Sequence, residues 1–272
     1  MNTGRVRLDQ QNTWSTPREK NQDSEFDFSI ILFVVVIFLV LGIVILIGYL
    51  LFKFISNISC FFSEFLYGNQ EMIREVTNLD RGERSERSLV LKLRKNGFDA
   101  NDIFHDLYVP IYADKFSQID LLLLTTAGIV VFEVKEYSGW LFGNGKHERW
   151  TQVLNYGKEK HRFYNPIMQN AQHIFRLRKY LQKDIPFFSV IVFYGNCELK
   201  GISLIPQNTF VTKPHHIMKI VERICHQNAN VNYDEQVRDL LRQAVKYGDN
   251  PEIVTNHKKN IHNMLGKDRI YR

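Results

Sequence analysis

Three residues on two adjacent apolar runs offer the plainest chemistry in this sequence: Asp120, Glu133 and Lys135. Asp120 interrupts the run Gln118-Ile119-Asp120-Leu121-Leu122. Aspartate is disfavoured in a strand, and a buried, unpaired carboxylate is destabilising by several kcal/mol, so a partner is expected. Glu133-Val134-Lys135 closes the next apolar run. In a strand, residues i and i+2 share a face, so Glu133 and Lys135 project together. A hairpin between the two runs brings Asp120 beside Glu133. Neighbouring carboxylates repel, and a divalent cation is the usual resolution. Hard oxygen ligands with room for water suit Mg²⁺ or Mn²⁺.

The reaction that fits such a cluster is phosphodiester hydrolysis. Asp120, Glu133 and the Val134 carbonyl would hold the metal, which polarises the phosphate and lowers the pKa of its water. Lys135 would orient or help deprotonate that water and offset charge in the transition state. The competing reading of the same spacing is a salt-bridged surface hairpin, because Glu-x-Lys arises readily by chance.

The elements that must position these residues follow from the pattern. A helix fits Gly82–Lys95, with Asn96-Gly97 as its stop. Asp102–Val109 reads as a strand ending before Pro110. Gln118–Thr125 and Ile129–Val134 read as a hairpin turning at Ala127-Gly128. Gly139, Gly143 and Gly145 mark turns around Trp140, and a short strand fits Trp150–Leu154. Asn165-Pro166 starts a helix running to about Gln182. Its apolar stripe is Ile167, Ile174, Leu177 and Leu181. Gln169, His173, Arg176 and Tyr180 form a second stripe, on which His173 and Arg176 are candidate nucleic-acid contacts, Arg176 through phosphate. Pro186–Tyr194 holds another buried-type strand; Ile202–Leu204 and Thr209–Val211 are short ones. Helices fit Pro214–Cys225, Asp234–Lys246 and Pro251–Leu265. The order implies a mixed α/β sandwich with helices flanking one central sheet.

Taken in order, Gly82-Glu83, Ile119-Asp120-Leu121, Gly128, Glu133-Val134-Lys135, Gly139, Trp150 and Asn165-Pro166-Ile167-Met168-Gln169 make a longer pattern. It resembles the NERD (nuclease-related) domain, a family within the restriction-endonuclease-like superfamily, over roughly residues 80–200. The resemblance implies a restriction-endonuclease-like central mixed sheet flanked by helices, and metal-dependent cleavage by Asp120, Glu133 and Lys135. It gives Glu83 a role as an extra acidic group from the first helix, and Gln169 one in contacting the scissile strand or positioning Lys135. For Glu83 the competing role is to satisfy a helix N-terminus.

The chain has 272 residues, 44% of them hydrophobic, and these are unevenly spread. Phe28–Phe52 contains no charge and is bounded by Asp27 and Lys53. As a helix it reaches about 38 Å, enough to cross a bilayer. It is too long for a secretory signal, and a mostly polar stretch precedes it. One transmembrane helix is expected. Arg18 and Lys20 on one side and Lys53 on the other do not decide its orientation. The expected division is a polar tail over 1–27, a transmembrane helix over 28–52, a juxtamembrane linker over 53–80, the nuclease-like domain over 81–200 and a helical extension over 201–272.

The net charge of +6 for the whole chain conceals an excess of eight positive charges over 80–272. That excess suits a polyanion. Nucleic acid is the expected partner, DNA ahead of RNA, with the soluble domain on the cytosolic side. Three scattered cysteines argue against a disulfide framework and a zinc knuckle. No phosphate-binding Gly-rich loop or paired-histidine zinc motif is present. The rival to a membrane-anchored nuclease is a tethered nucleic-acid-binding or scaffold protein that keeps the sheet without turnover.

Overall fold

The computed structural model describes residues 28–112, 115–227 and 230–270. The expected polar tail over 1–27 lies outside them. The chain divides into two units, at Phe62 and Ser63.

The first unit is formed by α1 (Phe28–Arg74), which continues past the division. Ile31–Ser56 within it has a mean hydropathy of 3.5, and none of that stretch is buried by protein. A helix so long, and apolar on every side, has no aqueous face. It is long and apolar enough to cross a membrane.

The second unit is a three-layer sandwich. Its elements are α2 (Arg84–Lys95), β1 (Ile103–Tyr112), β2 (Lys115–Thr125), β3 (Gly128–Glu136), β4 (Gly139–Asn144), β5 (Arg149–Leu154), β6 (Glu159–Tyr164), α3 (Pro166–Leu181), β7 (Phe187–Tyr194), β8 (Cys197–Ser203), β9 (Thr209–Thr212), α4 (Ile217–Cys225), α5 (Glu235–Tyr247) and α6 (Pro251–Ile270). The main sheet runs β1-β2-β3-β7-β9. β1, β2 and β3 are antiparallel, and β7 and β9 join parallel to β3, so the sheet is mixed. A four-stranded mixed sheet, β6-β5-β4-β8, stands beside it.

The apolar side chains of the main sheet divide between two cores. Leu121, Leu123, Val130 and Phe132 meet Leu89 and Leu93 of α2 and Val221 of α4. Leu122, Leu124, Ile129 and Val131 meet Leu177 of α3 and Leu241 of α5. Residues 201–272 are therefore built into the same cores as the nuclease-like stretch, through β9, α4 and α5. A third cluster joins the small sheet to the main one: Leu141 and Trp150 pack on Ile191 and Phe193 of β7 and Ile167 of α3.

Several elements differ from expectation: α1 runs through most of the expected 53–80 linker, β6 was not foreseen, and two sheets stand where one was expected. β1 passes through Pro110 to Tyr112, because it is an edge strand and the missing N–H leaves no ladder bond unmade. Of the glycines around Trp140, Gly139 starts β4 and Gly143 lies within it, while Gly145 is in the turn that follows. A side chain at Gly143 would collide with the Trp150 ring, so its glycine makes room for packing.

Candidate active site

β2 and β3 pair from Thr125 and Gly128 back to Leu121 and Phe132, where the regular ladder stops. The next residues are Asp120 and Glu133. The Val134 backbone N–H donates to Asp120 Oδ2 at 2.7 Å. The inside–outside alternation of β2 also breaks here: Ile119 and Leu122 face the α3 side, whereas Leu121 faces the α2 side. β1 breaks at the matching place. Asp106, which falls between the His105–Leu121 and Leu107–Ile119 pairs, has φ +54°, a left-handed conformation rare for any residue with a side chain. Arg81 Nε donates to Asp106 Oδ2 at 3.0 Å and Gln118 Nε2 to its Oδ1 at 2.8 Å, which holds the distortion.

Glu133 lies in a central strand and is fully buried. Two basic side chains meet its carboxylate. Lys135 Nζ is 2.6 Å from Oε1, and His173 Nε2 is 3.3 Å from Oε2. His173 reaches it from α3, whose start is fixed by Asn165 capping the Ile167 N–H and by Pro166 in the first turn. His173 Nδ1 is 2.7 Å from Ser117 Oγ, which accepts from Arg176 Nη1 at 3.2 Å. In the tautomer with the proton on Nε2, His173 accepts from Ser117 and turns its N–H toward Glu133.

Burial and the fields of Glu133 and Glu86 hold the Asp120 carboxyl well above the usual range; Lys135 and the Val134 N–H oppose this without cancelling it. Burial pushes Glu133 up too, but Lys135 and His173 outweigh it, and the net direction is down. For Lys135, burial favours the neutral amine, yet Glu133 and Asp120 keep it charged and raise its pKa. The two neighbouring carboxylates are thus pushed in opposite directions by their surroundings.

Among the described residues, no three His, Cys, Asp or Glu side chains converge as metal ligands. A cation here would rest on Asp120, Glu133, the Val134 carbonyl and water. That donor set fits Mg²⁺ or Mn²⁺, which keep several waters and need few carboxylates.

The remaining expected site residues are spread around this centre. Glu83 is the exposed N-cap residue of α2, and its side chain makes no capping bond. Gln169 is half-buried one turn before His173, and no hydrogen bond joins it to Glu133 or Lys135. His173 is turned inward to Glu133 rather than outward to solvent, and Arg176 is half-buried against Ser117.

Residues not foreseen are brought in. Glu86, one turn into α2, is buried, acts on Asp120, and lies 3.1 Å from His105 Nε2; His105 Nδ1 is 2.9 Å from Thr77 Oγ1. The signal for Glu86 was its phase. It lies three, four and seven residues before the buried Leu89, Val90 and Leu93, a carboxylate on an apolar stripe.

The second unit is thus a mixed α/β sandwich with an Asp…Glu-x-Lys cluster where its central strands part. Residues 81–194 match the family model described as the nuclease-related domain, NERD. An uncharacterized protein of Bacillus anthracis is 26% identical over 188 residues, 69% of this chain and 86% of that protein. No solved structure matches the chain.

Proposed function

We propose that this chain is a membrane-anchored, metal-dependent nuclease that hydrolyses phosphodiester bonds of nucleic acid, with Mg²⁺ or Mn²⁺ at Asp120 and Glu133. The observation that carries the reading is the convergence of Asp120, Glu133 and Lys135 where β2 and β3 part, with Lys135 Nζ 2.6 Å from Glu133 Oε1. The nuclease-related domain supports the same class of reaction. The bound cation would supply Lewis acidity and a water of lowered pKa.

The chain's own residues do the rest. Asp120 and Glu133 would hold the cation, and Lys135 and His173 keep the Glu133 carboxyl below its ordinary range. Lys135 keeps its proton and offers N–H donors and positive charge where phosphate charge grows. Glu83 and Gln169 are assigned supporting roles, and Arg176 a phosphate contact beside the site. Ile31–Ser56 tethers the domain to the membrane, with the domain on the cytosolic side.

The test is cleavage of a panel of DNA and RNA substrates by the full chain in neutral detergent, with Mg²⁺, Mn²⁺ or EDTA. Cleavage should need the metal and vanish in Asp120→Asn. Nucleic-acid binding with no cleavage under any metal would favour a tethered scaffold instead.

A further inference from the structure

The small sheet has one face against the core and one that no core cluster reaches. Leu141, Trp150, Phe163, Cys197 and Leu199 point inward. The register places Trp140, Phe142, Thr151, Lys160 and Arg162 on the opposite face. Across the strands, Trp140 aligns with Val153 and Lys160, and Phe142 aligns with Thr151 and Arg162. Phe142 is 40% exposed. It lies beside Gly201, where the neighbouring strand has no side chain to cover it. On the far edge, Lys200 Nζ sits 5.6 Å from the Trp140 ring centroid, and it also pairs with Glu198. On the near edge, β6 is exposed almost throughout, and its Tyr164 aligns with Arg149.

We propose that this outer face binds the unpaired, single-stranded part of a nucleic-acid substrate and leads it to Asp120, Glu133 and Lys135. It deepens the nuclease reading, on which it rests for the class of partner, by naming the form of nucleic acid. Three observations converge on it. Two aromatic residues two apart on one strand have backbones about 7 Å apart, room for successive bases to stack on their rings. Lys160, Arg162 and Lys200 flank those rings, with Glu198 among them, so the face is net positive and complements a phosphate backbone. The strand that bears both rings also follows the site strand directly: only Tyr137 and Ser138 separate β3 from β4. A duplex hides its base faces within its own stack, so a flat sheet bearing aromatic rings favours unpaired bases.

The test is binding in EDTA, where nothing is cut. The full chain in neutral detergent is titrated into labelled single-stranded DNA, single-stranded RNA and blunt duplex, at low and physiological salt. Single strands should bind more tightly than duplex. Phe142→Ala and Trp140→Ala should each weaken single-strand binding about tenfold. Lys160→Glu with Arg162→Glu should weaken it further and flatten its salt dependence. Phe142, Lys160 and Arg162 are exposed, so these variants keep the question open to measurement even where Trp140→Ala unfolds the sheet. Unchanged single-strand binding in folded variants overturns the platform. So does a loss seen only for anionic lipid added to the micelles, which would make the face a membrane contact. Metal-dependent cleavage alongside unchanged binding would reject the platform and leave the nuclease reading standing. Lost binding in a chain that never cleaves would uphold the platform and reject the catalytic reading.

Discussion

Asp120 Oδ2 accepts the Val134 backbone N–H at 2.7 Å, so a side chain occupies the place where the β2–β3 ladder ends. The bond fixes one carboxylate by the backbone of the strand that carries the other. It also holds Asp120 where burial and two neighbouring acids favour its proton.

That arrangement predicts a pH-dependent stability. Folded Asp120 keeps its proton to higher pH than the unfolded chain does. Its contribution to stability is complete below the ordinary carboxylate range and declines as pH rises through the raised value. Asn keeps the acceptor for Val134 and cannot titrate. Metal-free Asp120→Asn should therefore melt above the wild type at neutral pH, by roughly 2–4 °C for each kcal/mol relieved. The gap should close in acid. Thermal melting in EDTA across pH checks this, and adding Mn²⁺ should stabilise only the wild type.

Gly82 lies at φ +62°, and a Cβ there would run into Glu86 Oε2 and the His105 ring. Neither neighbour is free to give way, since both are buried and bonded to each other. Gly82→Ala should destabilise the second unit by about 2 kcal/mol or more, from backbone strain and collision together. Denaturant unfolding followed by tryptophan fluorescence would read it; a change below about 0.5 kcal/mol would contradict the packing.

Glu86 has two separable functions. Its bond to His105 is structural, and its charge helps raise Asp120. Glu86→Gln keeps a hydrogen-bonding group at His105 and removes the charge, so the fold should hold and Asp120 should ionise at lower pH. Mn²⁺-induced stabilisation should then begin at lower pH than in the wild type. Glu86→Leu leaves His105 Nε2 buried without its partner and should cost about 1–3 kcal/mol.

The elements of the central sheet are readable in the chain because β2, β3 and β7 are long apolar runs bounded by turn residues. Asp120, Glu133 and Lys135 were readable for the opposite reason: charges in such runs are conspicuous. β6 was not, because its exposed Glu159-Lys160-His161-Arg162 has no buried face to impose alternation. β4 was hidden by glycines that serve packing and a turn entry rather than chain reversal alone. The second stripe of α3 reads as a row of outward nucleic-acid contacts. Instead His173 reaches a buried acid, Arg176 reaches Ser117, and the Tyr180 hydroxyl donates to the Leu240 carbonyl at 3.2 Å. Polar spacing alone does not distinguish water from a buried partner. The break in β1 and β2 at Asp106 and Asp120 depends on contacts to Arg81 and Val134, distant in sequence, and no local pattern announces it.

The most direct test of catalysis by this cluster is a single-turnover cleavage time course, with saturating Mn²⁺, for the wild type and Lys135→Ala. Lys135 is half-buried, and its loss leaves Glu133 with His173 as a partner, so the variant should fold with a stability loss of about 1–3 kcal/mol. Its cleavage rate should fall by at least about a hundredfold, in the range found when one transition-state donor is removed. Equal rates in the two folded proteins would contradict the assignment.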